Sequence, residues 1–271
     1  EAAKEIAAGS YGIHIEKTDD DEIGELCDTI NYMSDEISKS ETIKNEFISS
    51  VSHELRTPLT AIGGWTDTIL ADGIADKEVA AKGLSIIQKE VRRLSQMVEE
   101  LLDFARIEGD RMSIQTSPFD IREELSDAVF IYSEFVGKEG IEINSSDPDD
   151  PVIVNGDRNR LKQVFLNIID NAVKYCGENK KIDIEMTASD NKVKVAVTDY
   201  GVGIPEEELP FVKKKFYKGS SKIRGNGIGL AVCEEIIKRH GGSLDIKSEY
   251  GKGTTAIITL PTAALTADNI K

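Results

Sequence analysis

Between Leu84 and Ala105, the apolar residues Leu84, Ile87, Val91, Leu94, Val98, Leu101 and Ala105 recur in alternating steps of three and four. A spacing held this long puts all of them on one stripe of an α-helix, the pattern of a coiled-coil or bundle seam. Residues 39–108 read as two long helices, with Asp72-Gly73 and the next few residues as the turn between them. Two helices cannot enclose so wide a seam. A four-helix bundle made by two chains, hence a homodimer, is the expected completion.

The rest of the chain cannot be more of the same. At 271 residues it exceeds the usual single-domain size. Its 39% hydrophobic content supports a proper core, and its 30% charged residues argue against a membrane-embedded chain. No run approaches the ~18 apolar residues a spanning helix needs, and residue 1 does not open a signal peptide. A net charge of −16 argues against nucleic acid, whose phosphates require a basic face. Cys27, Cys176 and Cys233 are widely spaced, with no CxxC pair. They read as reduced small hydrophobes, not as disulfides or metal ligands.

Residues 1–38 hold an Ala/Ile-rich start, a Gly-Ser-Tyr-Gly break, the acidic run Asp19–Glu22 and a helical pattern through Leu26, Ile30, Met33 and Ile37. That pattern runs on into the long helices without a clear stop. After Arg111 the rhythm changes. Met112–Thr116 and Ile141–Asn144 alternate like strands, around a helix at about 120–138. A short strand at Val152–Asn155, a helix at 158–176, strands at Ile182–Thr187 and Val193–Asp199, and a glycine-rich loop at 200–227 follow. A helix to His240 and the strands Leu244–Lys247 and Thr254–Leu260 complete an α+β unit. The last nine residues, 263–271, read as a loose tail.

Within the first long helix, Ile48, Val51, Leu55, Leu59 and Ile62 fall within roughly 80° of one another at ~100° per residue, and are expected to form its buried stripe. His53 lies nearly opposite, with Thr57 one turn on and Glu54 beside them. An outward-facing imidazole becomes a good nucleophile when a carboxylate accepts its other proton. Pro58 removes one helical hydrogen bond and is expected to bend or loosen the helix.

The helix at 158–176 carries Asn167, Asn171 and Lys174 on one face and Leu161, Phe165, Ile168 and Ala172 on the other. Two carboxamides and an ammonium suit Mg²⁺ and phosphate oxygens, although the same face would also serve as a solvent face. Asp199-Tyr200-Gly201-Val202-Gly203 follows a strand, and Gly225-Asn226-Gly227-Ile228-Gly229-Leu230 opens a helix. A glycine run at a helix start offers backbone N–H groups to phosphate, and Asp199 offers an acceptor to an adenine amine. Phe211, Lys213–Lys215, Phe216, Tyr217 and Lys218 combine apolar anchors with cations, as a lid over phosphates would.

Taken in order, these segments resemble the sensor histidine kinases of two-component signalling over nearly the whole chain. His53–Leu59 is similar to that family's phosphoacceptor box, and Asn167–Tyr175 to its asparagine box. The two glycine runs and Phe211–Lys218 match its other ATP-site motifs. Asp21–Leu26, with Asn31 and Met33, resembles the second half of a HAMP relay.

The resemblance implies a partial HAMP segment at 1–38, a dimerisation and histidine phosphotransfer domain at 39–112, and a Bergerat-type α/β sandwich at 113–262. It implies that ATP binds over Asn171, Lys174, Tyr175, Asp199, Gly201, Gly203, Lys218, Gly225, Gly227, Gly229 and Leu230, with Mg²⁺ on Asn171 and Asn167. His53 would then be phosphorylated with help from Glu54 and pass its phosphoryl group to an aspartate of a response regulator. Thr57 would hold a water that hydrolyses the regulator's phosphoaspartate, a phosphatase activity. The resemblance also implies a truncated, cytoplasmic portion of a membrane sensor, its spanning helix lying ahead of residue 1.

Tyr200 stands where the family often has Asn. Two other readings compete: a gyrase- or chaperone-type ATPase, which would carry a glutamate base where this chain has Asn167, and a dimeric relay without catalysis.

Overall fold

The computed structural model describes residues 2–7, 9–17, 19–71, 76–109, 112–137, 140–189, 191–215, 217, 219 and 227–263. The turn expected at Asp72-Gly73 and the tail from residue 264 lie outside them. The chain divides into two compact units, Glu1–Leu94 and Ser95–Lys271.

The first unit begins with α1 (Ala2–Ala7) and an extended connector, followed by the 50-residue helix α2 (Glu22–Ala71). Asp21 starts α2 by accepting from the backbone N–H groups of Ile23 (3.0 Å) and Gly24 (2.9 Å). The connector is pinned along α2 by polar side chains at positions 28, 31 and 34, which share one helical face. The Gly12 N–H donates to Ser34 Oγ (3.1 Å), the Ile15 N–H donates to Asn31 Oδ1 (2.7 Å), and Lys17 Nζ donates to Asp28 Oδ2 (2.8 Å). Asn31 Nδ2 returns a bond to the Ile15 carbonyl (3.0 Å).

Helix α3 (Lys77–Glu108) begins at Asp76, whose side chain accepts from the N–H groups of Glu78 and Val79. Small residues let it approach α2: a Cβ on Gly83 would stand 2.8 Å from the Trp65 ring, and Ala80 is buried. α2 remains helical through Pro58, which is itself buried although it leaves the Glu54 carbonyl without its helical donor.

Within one chain the expected buried stripe of α2 is only partly covered. Ile48 and Leu59 are 52% and 57% exposed, while Glu54 and Pro58 are buried. Periodicity locates an apolar face, but the hairpin partner packs on a neighbouring one. On α3, too, Leu84, Val91 and Val98 stay exposed within one chain.

The second unit contains the last turns of α3 and an α/β sandwich. Its elements are β1 (Ser117–Asp120), α4 (Ile121–Val136), β2 (Glu142–Ser146), β3 (Ile153–Gly156), α5 (Arg158–Tyr175), β4 (Lys181–Ser189), β5 (Lys192–Asp199), α6 (Gly229–Arg239), β6 (Ser243–Glu249) and β7 (Gly253–Pro261). The main sheet has the order β2-β4-β5-β7-β6, with β2–β4 parallel and the other pairs antiparallel. β1 and β3 form a small antiparallel pair.

Alternation in β4 and β5 buries Ile182, Ile184, Met186, Val193, Val195 and Val197. The apolar face of α5 (Leu161, Val164, Phe165, Ile168, Ile169 and Ala172) is buried as well. Fully burying one of its large side chains is worth roughly 1.5–3 kcal/mol. This burial fixes which way the opposite face of α5 points.

Two polar devices lock the helices. His240 Nε2 accepts from the Asp157 N–H (2.9 Å) while Nδ1 bonds the Ile236 carbonyl (2.7 Å), joining the end of α6 to the start of α5. Asp103, only 2% exposed at the end of α3, accepts from Arg160 Nη1 (2.6 Å) and Gln163 Nε2 (2.6 Å) of α5.

The strand expected at Met112–Thr116 does not form; the strand is Ser117–Asp120. Side chains, not a neighbouring strand, take the backbone groups here. Arg239 Nη1 donates to the Met112 carbonyl (2.9 Å), and the Gln115 N–H donates to Asp157 Oδ2 (3.1 Å).

Asp120 caps α4, accepts from the Val152 N–H (3.1 Å) and pairs with Arg122 (2.7 Å). Burial pushes its carboxyl up, but Arg122 and these N–H groups hold it below the usual range. Its ionised form therefore stabilises the fold above the unfolded carboxylate value, and this contribution is lost as pH falls through the lower folded value. Asp120→Asn is expected to cost about 1 kcal/mol at neutral pH. Urea unfolding at pH 7 and at about pH 2 should show the difference shrinking in acid.

Candidate functional site

His53 projects from α2 into solvent. Thr57, one turn on, is half-buried and donates its hydroxyl to the His53 carbonyl (3.3 Å). Its lone pairs stay available to a water. Glu54 behaves differently from its neighbour in sequence. A step of ~100° turns it into the hairpin, where Oε2 lies 2.8 Å from Arg93 Nη2 of α3. His53 and the carboxylate expected to serve it therefore share a backbone but not a face. Arg93 escaped the sequence reading; the signal was the charged pair Glu90/Arg93, three residues apart on the helix carrying the seam.

In the second unit, α5 presents Asn167, Asn171 and Lys174 away from its buried face, as expected. Lys174 is exposed and pairs with Asp170 one turn back. The Asn167 carboxamide carries a buried Nδ2 with no oxygen or nitrogen partner, the Cys233 thiol of α6 being its one weak acceptor among the described residues. It points at the first turn of α6: a Cβ on Gly229 would lie 4.0 Å from it. α6 itself starts at Ile228 without a side-chain cap. An orphaned amide facing an uncapped helix start is a polar seat that a ligand completes. The oxygens and nitrogens of such amides are interchangeable by rotation, so the same residues fit a hard cation as well as phosphate oxygens.

The loop after β5 closes against the end of α5. The Val202 N–H reaches the Tyr175 carbonyl (3.4 Å), and a Cβ on Gly201 would stand 1.7 Å from that oxygen. Gly203 has φ +66 and would place a Cβ 2.1 Å from the Glu249 carbonyl. Neither position admits a side chain.

Asp199 is 5% exposed. Burial raises its carboxyl above the ordinary range, against N–H donors from Gly201 and Thr254. Oδ1 takes the Gly201 N–H at 3.0 Å, and the remaining lone pairs of this desolvated carboxylate suit an exocyclic amine.

Tyr200, the departure noted in the sequence, points elsewhere. Its hydroxyl donates to Asp183 Oδ2 (2.5 Å) and Lys181 Nζ lies 5.0 Å from its ring centroid. It braces the outer face of the sheet.

Gly227, Gly229 and Leu230 lie at the start of α6, whereas Phe216, Lys218 and Gly225 fall outside the described residues. The described lysines of the segment expected to act as a lid are engaged. Lys213 Nζ bonds Glu234 Oε1 (3.0 Å) and the Leu244 carbonyl (2.9 Å), Lys214 lies over the Phe211 ring, and Lys215 over Phe104.

Comparison with known proteins places these parts in a family. Residues 156–264 match the histidine kinase-, DNA gyrase B- and HSP90-like ATPase family, residues 43–110 the His Kinase A (phospho-acceptor) domain, and residues 1–39 the HAMP domain. Sensor histidine kinase YclK of Bacillus subtilis is 31% identical over 97% of this chain and 58% of its own length. The signal transduction histidine-protein kinase ArlS of Staphylococcus aureus is 33% identical over 88% of this chain and 53% of its own. The chain thus spans about half the length of the curated relatives it matches.

Among solved structures, histidine kinase ThkA in complex with response regulator protein TrrA superposes with a TM-score of 0.61 at 29% identity, covering 83% of this chain and 64% of that one. With a HAMP region, a phospho-acceptor hairpin and an ATPase-type sandwich in that order, the chain belongs to the sensor histidine kinases of two-component signalling.

Proposed function

We propose that this chain transfers the γ-phosphoryl group of ATP to His53 and then to an aspartate of a response regulator. The observation that carries the reading is the coexistence of a solvent-facing His53 with an incomplete polar seat formed by Asn167, the uncapped start of α6 and buried Asp199. Asp199 accepts the adenine amine. The first turn of α6 and Gly227 receive the phosphates, and Tyr175 and Lys174 border them; Gly225 and Lys218 are assigned to the phosphates by the family resemblance of their segments. Mg²⁺, held by Asn171 and Asn167, neutralises phosphate charge when bound.

One imidazole nitrogen of His53 forms the N–P bond while the bond from the γ-phosphorus to its bridging oxygen breaks, the electron pair leaving with ADP. The proton on the other ring nitrogen passes to Glu54. Positioning and charge neutralisation supply most of the acceleration, as in phosphoryl transfer generally. Asn167 stands where a water-activating glutamate would make the chain a hydrolase, which favours a protein nucleophile.

In the second step the regulator's carboxylate takes the phosphoryl group from nitrogen. ThkA in complex with TrrA is a precedent for a docked regulator. No helix among the described residues is long and apolar enough to cross a membrane. We place the chain as the cytoplasmic portion of a membrane sensor on the strength of its HAMP region and its relatives.

His53→Ala is expected to abolish labelling by γ-labelled ATP without unfolding the chain, and Asn171→Ala to lose Mg²⁺-dependent labelling. Label persisting on the His53 variant would overturn the reading.

The exposed seam of Leu84, Val91 and Val98, with Ile48 and Leu59 of α2, needs a cover, and a second copy supplies a matching one. Leu94→Asp should weaken the dimer by several kcal/mol, since it buries an unpaired charge. Sedimentation at micromolar concentration measures this.

Thr57, beside His53 but not needed for its nucleophilicity, is assigned to positioning the water that attacks the regulator's phosphoaspartate. Thr57→Ala should keep most autophosphorylation while slowing decay of the separately phosphorylated regulator. Equal decay with either kinase would reject that role.

A further inference from the structure

We propose that Arg93 is a positioning residue that gates Glu54, moving between Glu54 and Glu90; the inference rests on the reading of Glu54 as the base for His53. Arg93 Nη2 lies 2.8 Å from Glu54 Oε2, a charge-assisted bond that occupies the carboxylate and holds it inside the hairpin. The Glu54 side chain is 12% exposed and that of Arg93 34%. A carboxylate so held accepts no proton from an imidazole on another face of its helix.

A second seat for the same guanidinium is in place. Glu90, one turn before Arg93 on α3, has its Oε2 3.7 Å from Arg93 Nη1. That oxygen is buried and makes no hydrogen bond.

A buried carboxylate oxygen without a donor is costly to keep, and a fork of donors lies a short rotation away. The guanidinium thus has two arrangements of comparable standing: bonded to Glu54 with Glu90 unsatisfied, or bonded to Glu90 with Glu54 released. A small axial or rotational shift of α3 against α2 selects between them, because the two carboxylates sit on different helices. Released Glu54, no longer neutralised, moves outward toward solvent and the face of His53. Buried ion pairs in two-state elements are well suited to such register-dependent roles. The pair is thus a brake on autophosphorylation placed at the nucleophile itself.

The test compares initial rates of His53 labelling at saturating Mg²⁺ and ATP, and the KM for ATP, in the full chain. Arg93→Gln should raise kcat about fivefold and Glu90→Gln lower it by a similar factor, the scale expected for losing one partly buried ion pair. The KM for ATP should not move in either variant. Arg93→Lys, which still engages Glu54, should return the rate to near that of the wild type. In the slower Glu54→Gln background, Arg93→Gln should change nothing further.

A kcat for Arg93→Gln that is unchanged or lower, with Glu54→Gln slow, would overturn the gate and leave the base reading standing. Wild-type labelling by Glu54→Gln would instead remove the base reading and the gate with it. Should Arg93→Gln destabilise the hairpin, the near-isosteric Glu90→Gln decides alone: an undiminished kcat overturns the proposal.

Discussion

Everything at the nucleotide end depends on how α5 is seated. Its apolar face, from Leu161 to Ala172, is buried in the core of the sandwich, and the cost of exposing it fixes the rotation of the helix. Asn167 is then turned toward α6, near Gly229 and Cys233, and Asn171 follows one turn on. The same seating brings the Tyr175 carbonyl to the backbone of Gly201, so the loop carrying Asp199 is positioned by the end of α5. Asp157 with His240 at one end of the helix, and Asp103 with Arg160 and Gln163 along its first half, restrain it against sliding. A polar site that leaves an amide nitrogen unsatisfied is stable only because the apolar half of the helix carries the energetic load.

The hairpin works by a different physics. Within one chain, the described residues of α2 and α3 meet at Gly83 against Trp65 and at the Glu54–Arg93 ion pair, and leave a line of large apolar side chains exposed. His53 stands on the solvent side of α2, Glu54 turns inward, and Pro58 removes the donor that the Glu54 carbonyl would otherwise receive. The segment proposed to accept and give up a phosphoryl group thus lacks one of the backbone hydrogen bonds of a 50-residue helix. Further up, a ladder of polar contacts from Gly12, Ile15 and Lys17 to Ser34, Asn31 and Asp28 ties the connector to the same helix. A displacement of the connector therefore acts directly on α2.

Much of this was legible in the sequence because periodicity and spacing report on single elements. The apolar side of α5, the strands β4 and β5, the helical run of α3 and the outward placement of His53 all follow from side-chain period. What was not legible depended on partners. Ile48 and Leu59 belong to an apolar face, but the hairpin packs elsewhere, so Pro58 and Glu54 are buried instead. Met112–Thr116 alternates like a strand, yet Arg239 and Asp157 take its backbone groups. Tyr200 looked like a change at the nucleotide, and its side chain turns to Asp183. The bond from Arg93 to Glu54 joins residues 39 positions apart and has no signature in either segment.

The claim underlying the whole account is that the phosphoryl acceptor is a nitrogen of His53. The most direct measurement is to incubate the chain with Mg²⁺ and ATP, follow the intact mass, and map the modified residue by fragmentation before and after mild acid. The account predicts one phosphoryl group per chain on His53, stable in base and lost in acid as a phosphoramidate is. Phosphate on a serine, threonine or aspartate, or steady release of inorganic phosphate with no modified protein, would contradict it.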